Sequence, residues 1–173
     1  MVATHSDKEL MKMTSQAIST TEFVASPTLA GDLQSVLVEL LELQAQAKQA
    51  HWTVVGPHFR SIHLELDEVV DGVREHADTV AERMRALDAV PDGRTRTIAN
   101  TTRLASFPEG EVSVERAVAV IAERIVAVVN TIRAVHDDVD DQDPTSADVL
   151  HTILEALEKH RWMFASQLRH IAN

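Results

Sequence analysis

The chain has 173 residues, no cysteine, no tyrosine and a formal charge of −11. That length suits one domain with a buried core, and the missing cysteines exclude disulfides and thiolate metal sites, leaving imidazole and carboxylate as ligands for iron, zinc or manganese. Aromatics at 3 % favour helices over a sheet, and the acidity argues against a broad nucleic-acid-binding surface.

Residues 1–28 mix polar residues with short apolar pieces and end in Ser26-Pro27-Thr28. They read as a flexible tail with at most a short helix around Lys8 to Ile18, ahead of a domain over residues 29–173. A first helix is expected from about Leu29 to Val54, where Leu33, Leu37, Leu40, Gln44, Ala47 and His51 recur at helical spacing. Gly56-Pro57 then turns the chain, Gly being free to take φ > 0 and Pro being pre-set for a helix's first turn. The second helix is expected from about His58 to Leu87, on the stripe Phe59, Ile62, Leu66, Val69, Val73, Val80, Met84 and Leu87. Val90-Pro91-Asp92-Gly93 is expected to end it.

The stretch up to about Gly110 is too long for a hairpin. A short helix within Thr95 to Ser106, on a long crossover, would let the third helix run parallel to the second. That third helix is expected to start near Ser113, a good N-cap. It carries Val114, Val118, Ile121, Ile125, Val128, Ile132, Val135 and Val139 at a near-heptad rhythm. A fourth, from about Ser146 to Ile171, turns Leu150, Ile153, Leu154, Leu157, Phe164, Leu168 and Ile171 inward. The expected fold class is all-α, a four-helix bundle with short, long and short connections. No apolar run approaches the roughly 20 residues of a membrane span.

His51, His63, Asp67, Asp78 and Glu82 have the composition of a metal site. At roughly 100° per residue the last four fall at about 0°, 40°, 60° and 100° around the second helix, so all point to one side. Along the axis, however, His63 and Asp78 stand about 22 Å apart, too far to close on one ion. A second copy packed antiparallel across a two-fold axis would bring its Asp78 and Glu82 beside His63 and Asp67, and the site would occur twice. His51, at the end of the first helix, delivers a second imidazole; Asp78 can ligate a second ion or orient an imidazole from behind. No glutamate has a histidine three residues later, which tells against a di-iron site within one bundle.

A second cluster is Asp137, Asp138, Asp140, Asp141, Asp143 and Asp148. Anions at a helix's carboxyl end oppose its dipole at about 0.3–1 kcal/mol each, so propensity does not explain them all, although Asp143 or Ser146 can cap the fourth helix. Of the remaining histidines His151, one turn after Asp148, is the best set to take up a metal.

Lys48-Gln-Ala-His51-Trp52, Gly56-Pro-His-Phe59, Ile62-His63, Asp67, Asp78-Thr-Val-Ala-Glu82-Arg83, Asp148-Val-Leu and Glu158-Lys-His-Arg-Trp162 resemble the Dps proteins, the miniferritins first named as DNA-binding proteins from starved cells. The resemblance implies a ferritin-like four-helix bundle assembled as a dodecamer of two-fold dimers. It implies a ferroxidase centre between subunits, made by His51, His63, Asp67, Asp78 and Glu82. Iron would enter as Fe(II), be oxidised by hydrogen peroxide or less readily by dioxygen, and be stored as ferric mineral, protecting DNA from oxidative damage. Trp52 would lie near the centre, as an oxidisable indole or as packing at the dimer contact.

Asp143-Pro-Thr-Ser146-Ala-Asp148 resembles the family's pore segment. That gives Asp148 and Asp143, with Asp138 or Asp141, the role of drawing ferrous ions inward on a three-fold axis. Family tails that bind DNA carry several Lys or Arg, whereas Lys8 and Lys12 here face Asp7, Glu9 and Glu22. The other readings are a nucleoid-associated DNA-binding cage for which iron is secondary, and a cage using the site for zinc, another metal or a hydrolytic reaction. Without a signal peptide, the cytoplasm is the expected compartment.

Overall fold

The computed structural model describes residues 23–169; the expected tail helix around Lys8 to Ile18 lies outside the described residues. Five helices are found among the described residues: α1 Pro27–Thr53, α2 Phe59–Ala86, α3 Thr95–Thr101, α4 Val114–Gln142 and α5 Pro144–Gln167. None is long and apolar enough to cross a membrane.

Ser26 and Pro27, read from sequence as the end of the tail, are in fact the start of α1. The Ser26 hydroxyl accepts from the Leu29 N–H at 3.1 Å, and Pro27 sits in the first turn, where its missing N–H would have been unpaired anyway. α1 is buried around most of its circumference because α2, α4 and the crossover segment with α3 each cover one side. Its buried polar residues face that crossover. Glu39 accepts from the Arg103 N–H and the Thr102 hydroxyl, both at 2.9 Å. Gln46 donates to the Ala105 carbonyl at 2.9 Å, and Arg124 of α4 donates to the same carbonyl at 2.9 Å. Buried polar groups need partners, and this pairing ties the long connection to the bundle.

Gly56 takes φ 114°, as the turn requires, but His58 is also left-handed at φ 63° and is the N-cap of α2. The helix therefore starts at Phe59, and a non-glycine residue holds a strained turn. α2 also ends earlier than the Val90-Pro91 breaker. Asp88 adopts φ 57°, the Ala89 N–H reaches the Met84 carbonyl at 2.9 Å and the Asp88 N–H reaches that of Arg85 at 3.1 Å. This is a Schellman motif with Asp at the position where Gly is usual.

The short helix expected on the crossover is α3. Beyond it, Val112 and Ser113 pair with Val54 and Val55 in a two-residue parallel ladder, the only strand pairing among the described residues. Two residues show no alternation, so patterning could not reveal it. The ladder sets the start of α4 beside the end of α1, so α4 runs parallel to α2, as the crossover length implied. Ser113 caps α4, accepting from the Arg116 N–H at 3.3 Å. Asp143 alone joins α4 to α5, and Pro144 opens α5 two residues before the expected Ser146. Leu33, Leu40, Leu66, Ile121, Ile125, Leu150 and Phe164 are among the fully buried side chains at the centre.

Candidate metal centre

The two imidazoles expected to meet do so, in a specific way. His51 closes α1, His63 lies in the second turn of α2, and the turn between them brings their rings into a stack with centroids 3.6 Å apart. The Nδ1 of His51 is 2.9 Å from the His63 carbonyl, and the Nδ1 of His63 is 2.9 Å from the His51 carbonyl. A carbonyl oxygen only accepts, so both Nδ1 atoms carry the proton. Both Nε2 atoms therefore keep the lone pair with which a neutral imidazole binds a metal.

Asp67 joins this pair, its carboxylate 3.2 Å from His51 Nδ1 and 2.6 Å from the Lys48 ammonium. The Lys48 hydrogen bond is the largest reason that the Asp67 carboxyl is held below the usual carboxylate range. Lys48 was not identified from sequence as a member of the site. The available signal was its place one turn before His51, on the same face of α1.

Asp78 and Glu82 are exposed farther along α2 and, as the helix rise required, do not meet His63 within one subunit. Among the described residues no three imidazole or carboxylate groups of the chain close on a common point. Asp78 instead borders a groove of about 560 Å3 between α1 and α2, lined also by Leu37, Leu41, Asp71, Ala81 and Pro91. Trp52 is 68 % exposed, and Val55, Phe59 and Leu64 are exposed near it in the chain, apolar side chains standing beside the polar Lys48 and Asp67.

The acidic cluster divides. Asp137, Asp138, Asp140, Asp141 and Asp148 are exposed, whereas Asp143 is buried. Its carboxylate accepts from Arg83 at 2.6 Å and from the Ser146 hydroxyl. Burial pushes the Asp143 carboxyl up, but the hydrogen bonds from Ser146 and Arg83 and the guanidinium charge outweigh it, and the net direction is down. Of the four pore aspartates expected from sequence, Asp143 is thus engaged between α2 and α5, and Asp138, Asp141 and Asp148 face outward.

A family model described as a ferritin-like domain matches residues 31–173. The chain is 32 % identical over 146 residues to the DNA protection during starvation protein of Agrobacterium fabrum, covering 84 % of this chain and 90 % of that one. Among solved structures, Dps92 from Deinococcus radiodurans matches with a TM-score of 0.81 at 33 % identity, over 83 % of this chain and 87 % of that one. Dps from Microbacterium arborescens in the high iron form matches with a TM-score of 0.78 at 35 % identity, over 84 % and 98 %. Alike in sequence and in three dimensions to these proteins over most of its length, the chain belongs to the Dps family of ferritin-like proteins.

Proposed function

We propose that this chain is the subunit of an iron-storing miniferritin cage, a dodecamer of two-fold dimers, that oxidises ferrous ion at centres shared between subunits. The observation that carries the reading is the reciprocal pairing of His51 and His63, which sets both Nδ1–H groups on main-chain carbonyls and leaves both Nε2 atoms as metal ligands. Ferrous ion is the substrate. Each of two ions gives one electron to hydrogen peroxide, which takes up two protons and leaves as two waters; dioxygen is the slower oxidant. His51 and His63 bind the ion, Asp67 supplies a carboxylate kept ionised by Lys48, and Asp78 and Glu82 of a second copy complete the set. Trp52, exposed beside this region, packs against that copy or gives up an electron in place of a more harmful target. The exposed Asp138, Asp141 and Asp148 draw ferrous ions toward a pore, and Asp143 holds that segment in place. Consuming ferrous ion and peroxide together, in the cytoplasm, protects DNA from hydroxyl radicals.

The test is the double variant His63→Ala with Asp67→Ala, loaded anaerobically with ferrous ion and then given peroxide. The rapid rise in ferric absorbance is expected to disappear while light scattering shows an unchanged particle size. Oxidation at the wild-type rate in an intact particle would remove the centre assigned here.

A further inference from the structure

At the end of the bundle away from His51 and His63, a second pair of imidazoles meets. His136 lies about two turns before Asp143 on α4 and His151 about two turns after it on α5, so the tight hairpin folds them face to face. Their Nε2 atoms are 2.7 Å apart and their ring centroids 4.5 Å apart. The Nδ1 of His136 is 3.0 Å from the Asp137 carboxylate. That carboxylate accepts, so the proton of His136 sits on Nδ1 and its Nε2 lone pair is directed at the second imidazole. His151 Nδ1 is 3.8 Å from the Asp148 carboxylate, one small rotation from the same backing. The pair borders a pocket of about 130 Å3 that Arg133 also lines, but the Arg133 guanidinium is neutralised by Glu158.

We propose that His136 and His151 form a binding site for a borderline divalent transition-metal ion, copper(II), nickel(II) or zinc(II), separate from the iron centre. Two facing imidazole nitrogens share a single proton, and a metal ion takes the place of that proton. A tetrahedral ion with bonds of about 2.0–2.1 Å needs its two nitrogens about 3.3 Å apart, which a small rotation of the exposed His151 ring supplies while the largely covered His136 stays on Asp137. The Asp137 carboxylate behind the His136 ring orients it, as a partner to the non-ligating nitrogen does in metal sites generally. Imidazole ligation selects these ions over magnesium or calcium. Since no third imidazole or carboxylate among the described residues reaches the same point, water or a neighbouring copy completes the coordination. A bound ion links α4 to α5 beside the exposed aspartates.

The experiment uses the full-length chain carrying His63→Ala and Asp67→Ala, which removes the iron centre, titrated with copper(II) and read by electron paramagnetic resonance. One copper per chain with hyperfine splitting from two nitrogens is expected. Adding His136→Ala or His151→Ala is expected to weaken binding at least tenfold at unchanged particle size; copper should bind more tightly than nickel or zinc, a large excess of either should compete with it, and the same excess of magnesium should not. Copper held equally well by both histidine variants, or a spectrum with a single coordinated nitrogen in the parent, overturns the site. Because the iron centre is absent throughout, neither result depends on whether the iron-oxidation reading is correct.

Discussion

Single side chains in this protein take their roles from what they are bonded to. His51 and His63 each keep an Nε2 lone pair free because each ring's Nδ1–H is occupied by the other's carbonyl; either ring turned over would present a donor there instead. Asp143 shows the same rule for a carboxylate. Its pKa is depressed in the folded state, so its pairing with Arg83 and Ser146 stabilises the fold above the unfolded value of about 3.9 and is lost as pH falls through the folded value. Wild type is expected to exceed Asp143→Asn by about 1–2 kcal/mol at neutral pH. That difference should stay level down to about pH 5 and shrink below about pH 4, seen as thermal midpoints that converge in acid. Midpoints that stay equally far apart at pH 3 would mean the carboxylate is not the stabilising species.

At the level of elements, the helices assemble by ordinary apolar packing, and the crossover is the part that needs specific polar contacts. Arg124 is buried at 7 % exposure on α4, and its guanidinium reaches the Ala105 carbonyl and Gln46. Arg124→Met keeps much of the aliphatic volume but removes those donors. A loss of about 2 kcal/mol in urea unfolding is expected, with faster tryptic cleavage at the exposed Arg103 because the crossover loosens before the helices do. The α3 helix was foreseeable because an interval this long rarely stays without secondary structure. The end of α2 at Ala86 lies within a residue of the expected Leu87, but the left-handed Asp88 that closes it was not foreseeable, since Asp leaves no signal as clear as glycine would.

For the whole molecule, the charge of −11 acts through its distribution more than its sum. Asp138, Asp141 and Asp148 are exposed at the α4–α5 end, and a ring of copies would focus cations there. Asp141→Asn combined with Asp148→Asn is expected to slow iron uptake several-fold at low ferrous concentration and low salt. The gap from wild type should narrow as ionic strength rises and screening sets in over about 10 Å. Uptake unchanged at low salt would remove these residues from the entry path. Trp52, Phe59 and Leu64 are exposed, and Asp78 borders a groove between α1 and α2.

By itself the sequence determined the helical class and the long connection in the middle of the bundle, because periodicity, caps and helical angle act over a few neighbouring residues. It also showed that Asp78 and Glu82 cannot reach His63 on one helix, a consequence of the axial rise alone. Only the tertiary structure decided which nitrogen of each imidazole is free, that Asp143 answers Arg83 from 60 residues away, and that His136 faces His151. Those outcomes depend on distances of a few ångströms between side chains on different helices. The packing of apolar faces sets such distances, and no local pattern in the chain encodes them.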